Sequence, residues 1–156
     1  MAAALDDLRP APLPRPEAPA GLGARLAAAL LDLLVLVAFL FAEAFVLAGP
    51  LGLKPDPKDL GGVDLAYFAL ALAFAWLYAA GLESGARGAT LGKRALGLAV
   101  RTQDGNRAGF ARTSLRFLVR SLSFLVGWIV IPLTSRRQAL HDLAAGTVVV
   151  RADRHP

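Results

Sequence analysis

The sequence predicts an all-α membrane protein with three apolar helical segments and a small cytoplasmic β element. The first reason is composition: of 156 residues, 56% are hydrophobic and 19% are charged, and the mean hydropathy is +0.52. A soluble domain carries about 25% charged and about 45–50% apolar residues, so this excess of apolar residues needs lipid as its solvent. The second reason is two long apolar runs, residues 22–48 and 65–82, followed by a shorter one at 121–134.

Residues 1–20 are predicted to form a disordered, proline-rich cytoplasmic tail. Half of the ten prolines lie here, and each removes a backbone N–H and favours extended geometry. Asp6 and Asp7 stand where a signal peptide has basic residues, so the tail is not interpreted as one. The membrane domain is predicted over residues 21–151, with a short C-terminal tail at 152–156.

The first two apolar segments are predicted to be transmembrane helices. Residues 22–48 contain no proline, and at about 1.5 Å per residue they exceed the roughly 30 Å of a hydrocarbon layer. Residues 65–82 contain no charge between Asp64 and Glu83. Alanine at every fourth position of this second segment would let another helix approach closely. Its interfacial anchors are expected to be Tyr67, Trp76 and Tyr78.

Two structures remain open for the third segment, residues 121–134. It is short and interrupted by Gly127 and Pro132, so it crosses the membrane only if flanking arginines snorkel, and otherwise it is re-entrant or interfacial. An amphipathic helix is predicted just before it, over residues 111–120. One interpretation of the basic residues of that helix is that they hold lipid phosphates; these are Arg112, Arg116 and Arg120.

The β element is predicted near the end of the chain. Thr147–Val150 is a β-branched run that is typical of a strand, and Leu96–Arg101 is its expected partner. A short helix is predicted over residues 137–145, and Gly146 is expected to end it. The dipeptide at 104–105 also gives a weak hairpin signal.

Three charged residues of the first segment share one helical face: Arg25, Asp32 and Glu43. At 100° per residue, Asp32 lies within about 20° of the other two, about 10.5 and 16.5 Å away along the axis. A charge at mid-bilayer costs roughly 2.5–3.5 kcal/mol, so this face should meet protein or water. Asp32 is expected either to pair with a cation or to take up a proton. Its candidate cationic partners are Lys93, Arg94, Arg136 and Arg137.

Other candidate sites are weaker. Glu43 is interpreted as a carboxylate near the outer interface that faces water, and His141 either as a pH-responsive contact or as a cap. With two histidines and no cysteine, neither a metal site nor another cofactor is predicted. The sequence GATLGK at 88–93 lacks the spacing of a phosphate-binding loop, and no catalytic constellation is present, so we do not expect an enzyme. The net charge of +5 is expected to attract anionic lipid headgroups rather than nucleic acid.

Four sequence segments occur in a characteristic order: GLGARLAAALLDLLVL, then ATLGKRALGLAV, then DGNRAGFARTSLRFLVR, then RRQALHDLAAGTVVV. Together they resemble the RDD family of small bacterial membrane proteins, which is named for one arginine and two aspartates. The resemblance runs over residues 21–151, although Leu91 stands where the family usually has proline. The positions that match the family's motifs are Arg25, Asp32, Asp142 and the Gly92-Lys93 pair.

The resemblance implies transport, since sodium/proton antiport has been attributed to some members of the family. In this chain Asp32 would exchange a proton for a monovalent cation, with Arg25 and Asp142 setting its electrostatics. A homo-oligomer is expected, because two helices with one polar stripe do not enclose a pathway. The alternative is a non-catalytic scaffold or accessory subunit in which these three residues form a structural ion-pair network. Both hypotheses predict a multi-pass protein of the cell membrane with a cytoplasmic N-terminus, because Lys and Arg are concentrated in the loop at 83–114.

Overall fold

The computed structural model describes residues 18–53, 61–123 and 138–152. Two long helices are joined to a group of shorter elements that begins at residue 82, and we call this group the cap. In chain order the elements are α1 (Leu22–Ala48), α2 (Gly62–Trp76), a π-helical turn (Leu77–Gly81), α3 (Leu82–Ser84), α4 (Leu91–Ala95), β1 (Leu98–Thr102), α5 (Phe110–Ser123), α6 (Leu140–Ala144) and β2 (Thr147–Arg151).

Two helices are long and apolar enough to cross a membrane. They are α1, with 27 residues, and the continuous helix Gly62–Ser84, with 23. Only 11% and 6% of their most hydrophobic windows are buried, so they are not the core helices of a soluble domain. Most of their leucine and phenylalanine side chains are exposed, which is unfavourable in water and favourable in lipid. The first two predicted segments are therefore present, and the second begins three residues earlier than expected.

A π-helical turn at Leu77–Gly81 connects the second long helix to the cap. A π turn disturbs the regular i→i−4 hydrogen bonding of the backbone. The Oγ1 of Thr113 in α5 donates a hydrogen bond of 3.0 Å to the carbonyl of Ala80 within this turn. One helical turn earlier, Trp76 Nε1 donates to Ser114 Oγ at 3.0 Å. Helix α5 is thus fixed against the end of the second long helix.

The β element consists of two antiparallel strands, in agreement with the predicted pairing. In the register Val100 lies opposite Val149, and Leu98 lies opposite Arg151. Residues 18–20, which we assigned to the tail, run along the other edge of β2, where Ala20 N–H donates to Val149 O at 2.9 Å. The weak hairpin signal corresponds to a single bridge between Arg101 and Arg107.

The core of the cap fixes the sheet to the beginning of α1. Val100 and Val149 are fully buried and pack with Ala28 of α1 and with Ala20. The small alanine side chains allow the strands to approach the helix backbone closely. This packing brings both ends of the described chain to the N-terminal part of α1, which is where the charged residues lie.

The predicted amphipathic helix is confirmed as α5, which is longer than expected at 14 residues. The short helix before β2 is also present as α6, followed by Gly146 at a φ of 62°, a left-handed conformation that favours glycine. The rest of the third apolar segment, from residue 124 onward, lies outside the described residues. The number of crossings and the re-entrant alternative therefore stay predictions.

Candidate functional site

Six charged side chains from five elements meet beside the N-terminal half of α1, and none is more than 6% exposed. We call this group the charge cluster. Because such side chains are almost never fully buried unless they are paired, their partners determine what the cluster does. Its members are Arg25, Asp32, Glu83, Lys93, Arg116 and Asp142.

Arg25 connects α1 to three other parts of the chain. Its Nη1 donates a hydrogen bond of 2.5 Å to Oδ2 of Asp142, which is 117 positions away in sequence. Its Nε donates to Ala20 O at 3.1 Å, and its Nη2 lies 3.4 Å from Val149 O. The guanidinium group therefore joins α1, the segment before it, β2 and α6. Arg25 and Asp142, which the sequence resemblance selected, form a buried ion pair.

Asp142 is a fully buried carboxylate that lies between two guanidinium groups. Its Oδ1 lies 2.9 Å from Arg116 Nη2, and its Oδ2 also accepts the Ala139 N–H at 3.1 Å. Burial opposes ionisation of Asp142, but Arg116 above all, together with Arg25, outweighs it and lowers its pKa to about 2. Asp142 is therefore an anion at every physiological pH.

Asp32 has partners of a different kind. Its Oδ1 accepts hydrogen bonds from Tyr78 Oη at 2.7 Å and from the Gly92 N–H at 2.8 Å, and its Oδ2 accepts one from Thr90 Oγ1 at 2.6 Å. All three donors are neutral. Within the described ranges, Asp32 forms no ion pair with a cation.

The expectation of a cationic partner for Asp32 is therefore wrong for both candidates that the structure describes. Lys93 instead donates to Glu83 Oε1, and Arg94 Nε donates to the Ala89 carbonyl at 2.8 Å. The physical reason is that the short helix α4 presents its first turn, rather than its basic residues, to the carboxylate. The other two candidates, Arg136 and Arg137, lie outside the described residues.

Gly92 permits this contact between α4 and α1. A Cβ atom at this position would lie 2.2 Å from the Ala28 carbonyl oxygen and 2.9 Å from Asp32 Oδ1. The Ala28 oxygen belongs to the helix backbone, so it cannot move away easily. Only glycine lets the backbone N–H reach the carboxylate, which gives a physical reason for the first half of the Gly92-Lys93 motif.

Sequence reasoning missed Glu83 and misassigned Arg116. Glu83 was noted only as the end of an apolar run, but it pairs with Lys93. Arg116 was interpreted as a ligand of lipid phosphates, yet its side chain is 4% exposed and lies between Glu83 and Asp142. Its spacing from Arg112 and Arg120 gave no signal that it is the buried one. The signal that could have found Glu83 is the surplus of basic residues after the second segment, which was used only to predict orientation.

Two further residues of the long helices differ from expectation. Tyr78 is not an interfacial anchor, because its hydroxyl donates to Asp32 and accepts the Leu91 N–H at 3.2 Å. Glu43 does not face water: its side chain is 6% exposed, and its Oε1 has no hydrogen-bond partner in the part of the chain that the structure describes. Glu43 shares the face of Asp32 but is not a member of the charge cluster.

An aromatic pair lies between Asp32 and Glu43. The rings of Phe39 and Phe74 are stacked, with centroids 3.6 Å apart and planes at 1°. Phe39 is about 10.5 Å beyond Asp32 along α1 and about 6 Å before Glu43, on the same face of the helix. The two carboxylates are therefore on opposite sides of an apolar layer that α1 and α2 form together.

A small cavity borders the charge cluster beside Asp32. Its volume is about 20 Å³, which is room for a single water-sized species. The described residues contain no group of three histidine, cysteine or carboxylate side chains that is arranged to hold a metal ion. The cavity is lined by Arg25, Ala29, Asp32, Lys93, Arg116, Arg120, His141 and Val149.

His141 faces this cationic environment. Burial, reinforced by Arg116, lowers the pKa of His141 to about 3, although Asp142 opposes the shift. The imidazole is therefore neutral at physiological pH. Burial likewise lowers the pKa of Lys93, and the adjacent Glu83 carboxylate opposes that shift.

Two apolar helices of membrane-spanning length, attached to a polar cap through a buried charge cluster, define an integral membrane protein. The sequence model of the RDD family matches residues 19–146, and the chain belongs to this family. It is 30% identical over 142 residues to "Uncharacterized protein YckC" of Bacillus subtilis (strain 168), a match that covers 86% of this chain and 85% of that protein. No solved structure matches the chain.

Proposed function

We propose that the protein is an ion-coupled transporter of the cell membrane in which Asp32 exchanges a proton for a monovalent cation, as in sodium/proton antiport. One observation carries this proposal: Asp32 is a buried carboxylate, 4% exposed, whose described partners are all neutral donors. Burial of a carboxylate without an ion-pair partner costs free energy, and binding of a proton or a metal cation reduces that cost.

The atoms around Asp32 suit a hard cation. The hydroxyl oxygen of Tyr78 lies 2.7 Å from one of its carboxylate oxygens, and the hydroxyl oxygen of Thr90 lies 2.6 Å from the other. Oxygen ligands of this type are preferred by hard cations. A hydroxyl group that donates to the ionised carboxylate can rotate its hydrogen away and present a lone pair to a bound cation.

The charge balance of the cluster supports exchange of one ion for another. Three carboxylates, of Asp32, Glu83 and Asp142, accompany the three buried cations of the cluster. A proton and a monovalent cation each add one positive charge when bound at Asp32. The cluster therefore has the same net charge with either ligand bound, and the two ligands compete for one site.

The aromatic pair supplies a barrier that exchange transport needs. The stacked rings of Phe39 and Phe74 separate the surroundings of Asp32 from those of Glu43. An apolar layer of this kind opposes the passage of ions and water when it is closed. Asp32 would then open to one side of the membrane at a time, with Glu43 on the other side.

We further propose that the transporter is a homo-oligomer whose N-terminus is cytoplasmic. The described helices bury little of their surface, and two helices alone do not surround a pathway. Residues 83–114 contain six lysines and arginines, whereas residues 49–62 contain two. This asymmetry favours the cytoplasm for the cap and its contact with anionic lipid headgroups.

The experiment is proton flux into liposomes that contain the purified protein, with and without a sodium gradient. Wild type should show sodium-dependent flux, and Asp32→Asn should lose it. Asp104→Asn is the matched control, because Asp104 is exposed in a turn of the cap. Size-exclusion chromatography and circular dichroism establish that each variant is folded. Absence of flux from folded, oriented wild-type protein overturns the proposal.

A second candidate function is favoured by the remainder of the cluster. The Arg25–Asp142 pair joins the beginning and end of the described chain, as expected of a structural lock. On this hypothesis the protein is a non-catalytic membrane scaffold or accessory subunit, and Asp32 only docks α4. Wild-type liposomes would then be silent, while a partner protein would co-purify through the cap.

A further inference from the structure

We propose that the cavity beside Asp32 binds a small monovalent anion, such as chloride, between the side chains of Arg116 and Arg120. This inference does not depend on ion exchange at Asp32. It stands on three independent observations: the sum of charges around the cavity, a buried guanidinium nitrogen without an acceptor, and the size of the cavity.

The charges around the cavity leave one positive charge uncompensated. Four cations line it, from Arg25, Lys93, Arg116 and Arg120. The opposing anions are Asp32 in the wall and the two carboxylates that pair with the lining cations, Glu83 and Asp142. Isolated buried charge is costly, so an additional anion is stabilised here.

The chain that follows α5 does not supply this anion. Residues 124–137 contain two arginines and no aspartate or glutamate. His141 is neutral in this environment and adds no charge. A soluble anion is therefore the simplest counter-charge for the cavity.

Arg116 presents a donor that lacks an acceptor. Its side chain is 4% exposed, and its Nη1 lies 3.7 Å from Glu83 Oε2, which is beyond hydrogen-bond distance. No described residue accepts a hydrogen bond from this nitrogen. An unmade hydrogen bond at a buried charged donor is destabilising, and a bound anion removes that penalty.

Arg120 supplies the second donor. It is half-buried on the next turn of α5, four residues after Arg116, so the two side chains share a face of the helix. Arg120 forms no ion pair with any described residue. Two guanidinium groups at this spacing repel one another, and an anion between them converts the repulsion into attraction.

The size of the cavity selects the type of anion. A volume of about 20 Å³ accommodates a single-atom ion but not a phosphate or carboxylate group. Asp32 also lines the cavity, but both of its oxygens already accept hydrogen bonds, which reduces the repulsion that an anion would meet. A halide is therefore the class of ligand that fits.

The test is thermal unfolding of the purified protein in detergent, with sodium chloride exchanged for sodium gluconate at constant ionic strength. A ligand that binds only the folded state raises Tm in a saturable manner. We expect such a rise with chloride and bromide for wild type. Arg120→Gln should abolish the saturable rise, whereas Arg112→Gln, an exposed position on the same helix, should retain it.

Three results would overturn the proposal. They are a wild-type Tm that does not depend on chloride, a rise of equal size in Arg120→Gln, and an Arg120-dependent rise of the same size with phosphate. Arg116→Gln is not the primary variant, because loss of its ion pairs affects folding itself. Since this measurement does not involve flux, its failure and the failure of ion exchange at Asp32 are distinguishable.

Discussion

Asp32 and Asp142 are buried to a similar degree in the same charge cluster, but their surroundings differ in kind. Asp142 contacts two guanidinium groups, whereas Asp32 accepts hydrogen bonds only from neutral groups among the described residues. A carboxylate between two cations is fixed in its ionised form. A carboxylate among neutral donors can change its ligand without leaving an unpaired cation behind. The comparison therefore separates a structural half of the cluster from a half that is available for chemistry.

The largest difference between the two carboxylates should appear in the free energy of unfolding when each is neutralised in turn. Asp142→Asn leaves Arg25 and Arg116 buried without their anion, and removal of one partner of a buried pair costs about 3–5 kcal/mol. Asp32→Asn leaves no cation unpaired and only weakens or breaks hydrogen bonds from neutral donors, at about 1–3 kcal/mol. The measurement is reversible unfolding in mixed micelles. Equal losses in the two variants would contradict the assignment of separate roles.

The next largest effect is the pH dependence of stability that arises from His141 and Asp142. The pKa of His141 is about 3 in the folded protein and about 6.5 when unfolded, so below pH 6.5 the unfolded state binds a proton that the folded state does not. Stability should therefore fall with decreasing pH, by about 2 kcal/mol between pH 6.5 and 5. Asp142 adds to this loss only below about pH 4, as the pH approaches its folded pKa of about 2.

The control for the pH dependence is His141→Gln, which removes the titrating group. This variant should have a nearly flat stability between pH 6.5 and 5. Stability is measured as the free energy of unfolding at each pH in a single detergent. A wild-type protein that becomes more stable in this range on acidification would show that His141 is not buried in its neutral form.

A smaller effect is expected where α4 docks on α1. Gly92→Ala places a Cβ atom 2.2 Å from the Ala28 carbonyl oxygen, so α4 must move away from Asp32. Overpacking of this kind costs about 1–3 kcal/mol. Gly109→Ala is the matched control, because a Cβ atom there meets nothing within 4 Å. If both variants unfold at the same temperature, the close contact is not a feature of the folded protein.

The sequence predicted those features of the fold and site that depend on local periodicity. The 100° repeat brought Arg25, Asp32 and Glu43 to one face of α1, and all three are buried. The β-branched run and its partner gave the strand pair. The first inference needs only the geometry of a helix and the cost of exposing charge to lipid, and the second needs only the preference of β-branched residues for strands.

Unlike the strand pair, side-chain contacts between distant elements could not be predicted from local periodicity. Charge complementarity suggested a cation for Asp32, but the fold assigns Lys93 to Glu83 and offers Asp32 the backbone and hydroxyl donors of Gly92 and Thr90. Neutral donors carry no long-range signal in a sequence. The π-helical turn, which brings Tyr78 to Asp32, is likewise invisible to a 3.6-residue period. The chemistry of the site thus depends on contacts that periodicity does not encode.

The smallest expected effect tests a single hydrogen-bond donor to Asp32. Thr90 is buried, and its Oγ1 donates to Asp32 Oδ2 at 2.6 Å. Thr90→Val keeps the shape of the side chain but removes the donor, which should cost about 1–2 kcal/mol because the carboxylate loses a charge-assisted hydrogen bond. Thr90→Ser retains the hydroxyl and should recover most of the loss, apart from a small packing term. If valine and serine destabilise the protein equally, packing rather than hydrogen bonding explains the effect, and Asp32 is less dependent on neutral donors than its geometry indicates.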